Sequence, residues 1–97
     1  TANQQPRLID LTTNRSFPIT KAQIVMGRAL SSDIAIEDLN VSRTHAEIRR
    51  ENANAWSVAD LGSTNGTLVN GHHIASTMLQ EGDRITVGTT TFLFTFR

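Results

Sequence analysis

The sequence predicts an all-β fold, a β-sandwich of two mainly antiparallel sheets made of short strands. Apolar and polar residues alternate with a period of two in several short runs, as they do in half-buried strands. Glycine- and asparagine-containing turn signals separate these runs at intervals of roughly eight to twelve residues. No window of about eleven residues has the apolar spacing of an amphipathic helix.

Nine runs are predicted to form strands. The last run has the clearest alternation, with Phe92, Phe94 and Phe96 on the core face and Thr91, Leu93 and Thr95 on the other face. The same argument assigns Ile85, Val87, Ala46, Ile48, Trp56 and Val58 to the core. In chain order the runs are residues 7–11, 16–19, 23–27, 33–36, 45–50, 55–61, 66–70, 83–88 and 90–96.

Three turns between these runs carry residues suited to tight connections. Asn65-Gly66 and Asn70-Gly71 are pairs that tolerate positive φ, and residues 81–83 read Glu-Gly-Asp. We interpret Asn70-Gly71 as a simple hairpin turn.

Length and composition limit the functions that this chain can have. It has 97 residues, enough for one domain, which we place at residues 7–97 after a flexible segment at 1–6. Nine basic and nine acidic residues give a formal net charge of zero, which argues against a nucleic-acid or membrane partner. The absence of cysteine excludes disulfides and thiolate metal sites. We expect a cytoplasmic location and, from the start at Thr1, a fragment of a longer protein.

Four polar stretches lie at strand ends or in loops, where no core requires them. They are residues 27–28, 42–45, 62–66 and 70–71. The loops of a sandwich gather at its two ends, so separate stretches can meet on one rim.

The side chains in these stretches are suited to holding an oxyanion. Arg28 and Arg43 offer permanently charged planar forks that match phosphate geometry. Ser42 and Thr64 offer hydroxyl groups, and Asn65 offers an amide that can both donate to and accept from a peptide backbone. A general base in a catalytic setting is missing, so this set predicts binding and not catalysis.

Taken together, the stretches resemble a forkhead-associated (FHA) domain, a phosphothreonine-peptide-binding module with an FHA/SMAD-like sandwich of about eleven short strands. The resemblance runs from about residue 24 to the last strand. Its motifs are GR at 27–28, SRTH at 42–45, DLGSTNGTLVNG at 60–71 and EGDRITVG at 81–88. It implies a non-enzymatic adaptor without cofactor or metal. The implied partner is a phosphothreonine-containing peptide or protein, a serine/threonine kinase or its substrate.

The resemblance also implies roles for individual residues. Phosphopeptide contacts would come from Arg28, Ser42, Arg43, Thr64 and Asn65. Supporting or structural roles would fall to Gly27, His45, Gly66, Asn70 and Gly71. We further expect the loop at 29–33, with Leu30, Ser31 and Ser32, and Ser63 in the neighbouring loop, to influence the residues preferred around the phosphothreonine.

Two alternatives remain open. The same fold could bind a folded partner through another face, independently of phosphate. Ser42 and His45 could also form a hydrolase nucleophile and base, although neither an orienting acid nor a glycine-flanked elbow is apparent. We expect no metal at His72 and His73, because adjacent strand side chains point to opposite faces.

Overall fold

The computed structural model describes residues 5–97. Residues 1–4, which make up most of the predicted flexible segment, lie outside the described residues. Gln5 and Pro6 both contact Ile19. The Gln5 side-chain amide donates to the Ile19 carbonyl at 3.0 Å, and the Ile19 N–H donates to the Pro6 carbonyl at 3.0 Å.

Within residues 5–97, eleven strands form two sheets, which confirms the predicted β-sandwich. One sheet has six strands in the order β2-β1-β11-β10-β7-β8, and the other has five in the order β4-β3-β5-β6-β9. All pairs are antiparallel except β3 with β4. The bounds are β1 Arg7–Asp10, β2 Ser16–Pro18, β3 Gln23–Gly27, β4 Ile34–Ala35, β5 Ala46–Asn52, β6 Ala55–Asp60, β7 Thr67–Val69, β8 His72–Ile74, β9 Ser76–Leu79, β10 Arg84–Val87 and β11 Thr90–Thr95.

The sequence patterns missed two strands, β8 and β9. Each of them lies at the edge of its sheet. Of their residues only Leu79 is buried, while Ile74 and Thr77 are partly buried. An edge strand that buries so little side-chain surface has hardly any period-two pattern for the sequence to reveal.

The core lies between the two sheets and contains the predicted inward-facing residues. Phe92, Phe94, Ile85, Val87, Ala46, Ile48, Trp56 and Val58 are all buried, while Phe96 is only partly buried against them. The pattern did not identify Leu8, Ile19, Ile24, Met26, Ile34, Ile36, Val41, Val69 and Leu79, which complete the buried cluster. Several of these lie on strands too short to show an alternation.

The strand register brings several connections to one end of the sandwich. Ala46 pairs with both Met26 and Asp60, so β3 ends, β5 begins and β6 ends at that position. Val87 pairs with Thr67 and Thr90 at one end of the six-stranded sheet, and the Thr89 N–H donates to Asp38 at 2.8 Å, which places the β10–β11 turn at the same end. We call this the loop end. It carries the connections 28–33, 36–45, 61–66 and 88–89.

Candidate functional site

Arg28 follows β3 and lies against the loop between β4 and β5. Its backbone N–H donates to the Ser42 carbonyl at 3.0 Å, and its side-chain Nε donates to the Val41 carbonyl at 3.0 Å. The second bond holds the guanidinium plane in one orientation and leaves its terminal nitrogens at an exposed surface. A fixed, exposed guanidinium is suited to bidentate contact with an oxyanion.

Ser42 joins the β4–β5 loop to the β6–β7 loop. Its hydroxyl oxygen accepts the backbone N–H of Thr64 at 3.0 Å. This bond uses one lone pair and leaves the hydroxyl proton free to be donated. The hydroxyl therefore both ties the two loops together and presents a donor beside Arg28.

Asn65 completes the contact between the same two loops. Its side-chain Nδ2 donates to the Asn40 carbonyl at 2.8 Å. The amide is thereby oriented, and its Oδ1 acceptor is turned away from Asn40. Asn65 and its neighbour Thr64 are both exposed. An oriented amide of this kind can accept a backbone N–H from an extended peptide.

The structure thus brings the five residues that were predicted to contact a phosphopeptide into one neighbourhood. Arg43 belongs to it through its backbone, since its carbonyl accepts the Ala29 N–H at 3.2 Å, and its side chain is exposed. We call Arg28, Ser42, Arg43, Thr64 and Asn65 the cradle. Its five residues come from three separate loops, and their side chains comprise two guanidinium groups, two hydroxyl groups and an amide.

His45 lies beneath the cradle and is completely buried. Its Nδ1 accepts the Ser42 backbone N–H at 3.0 Å, and its Nε2 lies 2.8 Å from the Gly66 carbonyl. A carbonyl can only accept, so Nε2 carries the proton and donates it. Both ring nitrogens are therefore occupied by backbone groups, and His45 has none left to take a proton from the Ser42 hydroxyl. This geometry speaks against the hydrolase alternative and agrees with a structural role.

Two glycines at the cradle are required by the local backbone. A Cβ added to Gly27 would lie 2.1 Å from the Arg43 carbonyl oxygen, so any side chain there would push the β4–β5 loop away. Gly66 has φ of +85°, and a Cβ there would lie 2.7 Å from Nδ1 of His73. Gly27 therefore allows the loops to pack more closely than another residue would permit, and Gly66 is needed for its positive φ.

Asp38 supports the cradle but was not singled out from the sequence. Its carboxylate accepts the Thr89 N–H at 2.8 Å and the Thr89 hydroxyl at 2.7 Å, and also the Asn40 N–H at 2.8 Å. These donors, led by the Thr89 hydroxyl, hold the pKa of Asp38 well below its usual range. The carboxylate thus fastens the β4–β5 loop to the β10–β11 turn. The sequence signal that could have identified Asp38 is its Asp-x-Asn spacing, which is typical of a turn closed by an aspartate side chain.

Asp60 has the same supporting role in the β6–β7 loop. It accepts the backbone N–H groups of Gly62 and Ser63 at 3.0 Å each, and the Thr67 hydroxyl at 2.7 Å. Burial raises the pKa of Asp60, but the hydrogen bonds from Ser63, Thr67 and Gly62 outweigh it and the pKa is lowered overall. The loop that presents Thr64 and Asn65 is folded around this ionised carboxylate.

The other predicted site residues lie at different distances from the cradle. Leu30 and Ser31 are exposed in the β3–β4 loop, and Ser32 is partly buried there. The Ser63 hydroxyl donates to Asp60 and accepts the Gly66 N–H at 2.9 Å, so it is engaged within its own loop. Their influence on ligand preference stays a prediction.

Asn70 and Gly71 lie outside the cradle. Their φ angles of 52° and 84° form the tight β7–β8 hairpin. The Asn70 side chain accepts the Arg84 N–H at 3.0 Å and donates to Asp83 at 3.0 Å. The register places this turn at the end of the sandwich opposite the loop end. Asn65, unlike Asn70, does not have positive φ, so only Gly66 of that pair fits the turn prediction.

Within residues 5–97, no group of three histidine, aspartate or glutamate side chains is placed to hold a metal ion. His72 and His73 are both exposed. In the same part of the chain, no helix has the length and apolar character needed to cross a membrane.

Comparison with known proteins identifies a family. The model of the FHA domain matches residues 24–88. The glycogen accumulation regulator GarA of Mycobacterium tuberculosis is 44% identical over 72 residues, which are 74% of this chain and 44% of GarA. The oxoglutarate dehydrogenase inhibitor of Corynebacterium jeikeium is 43% identical over 72 residues, which are 74% of this chain and 49% of that protein. The chain therefore spans about half the length of these curated relatives, or slightly less.

A solved structure supports the same relationship. Mycobacterium tuberculosis EmbR in complex with a low-affinity phosphopeptide superimposes with a TM-score of 0.91 at 31% identity. The alignment covers 95% of this chain and 24% of the EmbR chain.

Proposed function

The chain belongs to the FHA domain family, and from this membership we propose that it is a phosphothreonine-dependent, non-enzymatic peptide-binding adaptor. The observation that carries the proposal is the meeting of three loops at the cradle. Two side-chain bonds, Ser42 to Thr64 and Asn65 to Asn40, join the β4–β5 and β6–β7 loops, and the bond from Arg28 to the Val41 carbonyl adds the β3–β4 loop. These bonds fix a hydroxyl donor and an amide beside the guanidinium of Arg28. The matched structure of EmbR, which contains a phosphopeptide, supports the same ligand class.

In this proposal the cradle holds the phosphate and the amide holds the peptide. The terminal nitrogens of Arg28 and the Ser42 hydroxyl donate to phosphate oxygens, and Arg43 adds a second cation. Thr64 lines the pocket for the phosphothreonine. Asn65 accepts or donates a main-chain hydrogen bond from the extended peptide next to it, while Gly27, His45 and Gly66 maintain the loop geometry.

The binding affinity expected of such a site is suited to reversible signalling. A phosphothreonine carries about −1.5 to −2 charges at neutral pH. Hydrogen bonds to charged groups contribute roughly 1.5 to 3 kcal/mol each. Three or four of them supply most of the about 8 kcal/mol that a micromolar complex needs. Ordering the peptide opposes binding, so we expect micromolar and not picomolar affinity.

The partner class follows from the ligand. Phosphothreonine is the product of serine/threonine kinases, so the partner is such a kinase or one of its substrates. We also propose a cytoplasmic location. The neutral formal charge is the basis for proposing neither nucleic acid nor membrane as partner. The curated relatives are named as a regulator and an inhibitor, which supports an adaptor and not an enzyme.

The direct test is titration of the domain with one peptide sequence in four forms. These carry threonine, phosphothreonine, phosphoserine or glutamate at the same position. We expect measurable binding of the phosphothreonine form and weaker binding of the phosphoserine form. The methyl group adds about 0.8 kcal/mol, roughly fourfold. Equal affinity for the phosphorylated and plain forms would contradict the proposal and favour docking through another face.

Substitutions in the cradle test the assignment of residues. Arg28→Ala and Ser42→Ala should each weaken phosphopeptide binding at least about tenfold, because each removes a hydrogen bond to a charged group. Arg49→Ala is the matched control, since Arg49 is exposed on β5 outside the loop end. Unchanged affinity in both cradle variants, with the fold intact, would disprove the assigned contacts.

A further inference from the structure

A cleft opens between the two sheets at the end of the sandwich opposite the loop end. Its volume is about 400 Å³. Pro6, before β1, and Ile19, after β2, line it from the six-stranded sheet. Lys21, Arg50 and Trp56 line it from the five-stranded sheet. We call it the basal cleft, and its size falls within the range of small-molecule binding sites.

The indole N–H of Trp56 is a hydrogen-bond donor that the protein itself leaves unused. Only 6% of Trp56 is exposed, and its N–H has no hydrogen-bond partner among residues 5–97. In the same range every fully buried side-chain nitrogen or oxygen has a partner, so the N–H lies at the small surface that Trp56 presents to the basal cleft. An indole N–H can only donate, and a largely buried one normally finds an acceptor. The basal cleft therefore contains a donor suited to a ligand.

Arg50 places a positive charge next to this donor. Arg50 and Trp56 are directly paired between β5 and β6, and paired residues carry their side chains on the same face about 5 Å apart. The Arg50 Nε donates to the Asn52 carbonyl at 3.2 Å, and its Nη2 donates to the Ala53 carbonyl at 3.4 Å. These bonds orient the guanidinium, and neither of them uses Nη1. The guanidinium can therefore bind a further acceptor without losing its support.

The charge of the basal cleft is positive. No acidic side chain is found among the described residues that line it. Within residues 5–97 the one ion pair joins Lys21 to Asp33, so Lys21 is partly neutralised and Arg50 has no carboxylate partner in that part of the chain. A guanidinium without a counter-ion and an indole N–H without an acceptor are both suited to an anionic oxygen.

We propose that the basal cleft is a second binding site, separate from the cradle, for a small organic anion with one carboxylate or phosphate group. The guanidinium of Arg50 and the indole N–H of Trp56 donate to the oxygen atoms of the anion, and Lys21 adds a second cation. The apolar part of the ligand packs against Pro6 and Ile19. This site goes beyond the proposed function and does not depend on it.

The test follows the indole N–H by NMR, since Trp56 is the only tryptophan of the chain and gives a single indole signal. The whole chain, residues 1–97, is titrated with acetate, butyrate or inorganic phosphate at constant pH, with chloride keeping the ionic strength constant. We expect a saturable shift of the indole signal with an apparent Kd on the order of 1 mM, because few charge-assisted contacts are made. Butyrate should bind severalfold more tightly than acetate, because its longer chain buries more apolar surface. Comparison of butyrate with phosphate identifies the preferred anionic group.

Substitutions assign the shift to the basal cleft. Arg50→Gln should weaken anion binding at least about tenfold, because it removes the charge next to the indole. Arg49→Gln is the matched control, since Arg49 is the adjacent residue on β5 and its side chain points to the other face of the sheet. It should respond as the wild type does. Arg28→Ala alters the cradle and should also keep the wild-type response, which excludes phosphate binding at the cradle as the source of the shift.

Three results would overturn the inference. They are the absence of a saturable shift in the wild type, equal anion affinity of folded Arg50→Gln and the wild type, and butyrate binding no tighter than acetate. Lys21→Gln provides a second variant at a side chain that is 61% exposed, and it should weaken binding less than Arg50→Gln does. Because the basal cleft and the cradle lie at opposite ends, Arg50→Gln should bind the phosphothreonine peptide as the wild type does. Failure of either site is therefore measured separately.

Discussion

His45 shows how one buried side chain organises two loops at the residue scale. Its ring accepts from the Ser42 backbone on one side and donates to the Gly66 carbonyl on the other. Ser42 then presents its hydroxyl, and Gly66 directly follows Asn65. The positions of two cradle residues therefore depend on a histidine that is buried away from the surface where a ligand would bind.

Replacing His45 with alanine should reduce both stability and binding. The change leaves a cavity and removes the partners of the partly buried Ser42 N–H and Gly66 carbonyl, which should cost about 2 to 4 kcal/mol. Urea unfolding measures the loss, with His72→Ala as the control because His72 is exposed on β8. Equal stability of the two variants would contradict the bridging role.

Asn65 and Asn70 form a matched pair, because both precede a glycine, but Asn65 belongs to the cradle and Asn70 to the β7–β8 hairpin. Asn65→Ala should weaken phosphopeptide binding at least about tenfold. It should change the melting temperature less than Asn70→Ala does, because it removes one hydrogen bond at a position without positive φ. Asn70→Ala should leave affinity unchanged and cost about 1 to 3 kcal/mol of stability. It removes two hydrogen bonds and places alanine at φ of 52°. Calorimetric titration and thermal melting of both variants check the contrast, and a reversed pattern would contradict it.

At the scale of elements, the loops of the loop end are folded around ionised carboxylates. Asp38 joins the β4–β5 loop to the β10–β11 turn, and Asp60 closes the β6–β7 loop. Backbone groups that would otherwise be unpaired find acceptors in these side chains. The cradle is consequently rigid before any ligand arrives, which reduces the ordering cost of binding.

The lowered pKa of Asp38 predicts acid sensitivity. A carboxyl group with a lower pKa in the folded than in the unfolded protein stabilises the fold when it is ionised. This stabilisation is complete above the unfolded-state pKa and is lost as the pH falls through the folded-state pKa. The stability of the wild type should therefore decline below about pH 4, the ordinary aspartate pKa. Asp38→Asn should be less stable than the wild type at pH 7 and should show a smaller decline on acidification. Urea unfolding at pH 7, 4 and 3 measures both effects.

The control for this prediction is Glu37→Gln, which neutralises the exposed carboxylate next to Asp38. It should keep the wild-type pH dependence. An Asp38→Asn variant with the same pH dependence as the wild type would show that the bonds from Thr89 and Asn40 contribute nothing to acid stability.

At the scale of the whole molecule, binding at the loop end should be coupled to global unfolding. The cradle is built from three loops that separate in the unfolded chain, so a phosphopeptide binds only the folded state. At a hundredfold excess over Kd this stabilises the fold by about 2.7 kcal/mol. For a domain of this size the melting temperature should rise on the order of 10 °C. Thermal melting with phosphorylated and plain peptides checks this, and equal shifts for both would contradict it.

The sandwich and the identity of the cradle residues could be predicted because both depend on local patterns. Alternation in β11 placed Phe92 and Phe94 in the core, and short motifs at strand ends identified Arg28, Ser42 and Asn65. A period of two is a property of the strand itself, and a motif is a property of a few neighbouring residues. Local patterns of this kind can be recognised directly in the amino-acid sequence.

The contacts between distant segments could not be predicted in this way. The bond from Asp38 to Thr89 spans 51 residues, and the bond from Asn65 to Asn40 spans 25. Edge strands β8 and β9 also gave no readable pattern, because they bury little surface. Which loops meet is decided by the folding of the whole chain, since the pairing of strands depends on packing between residues far apart in sequence.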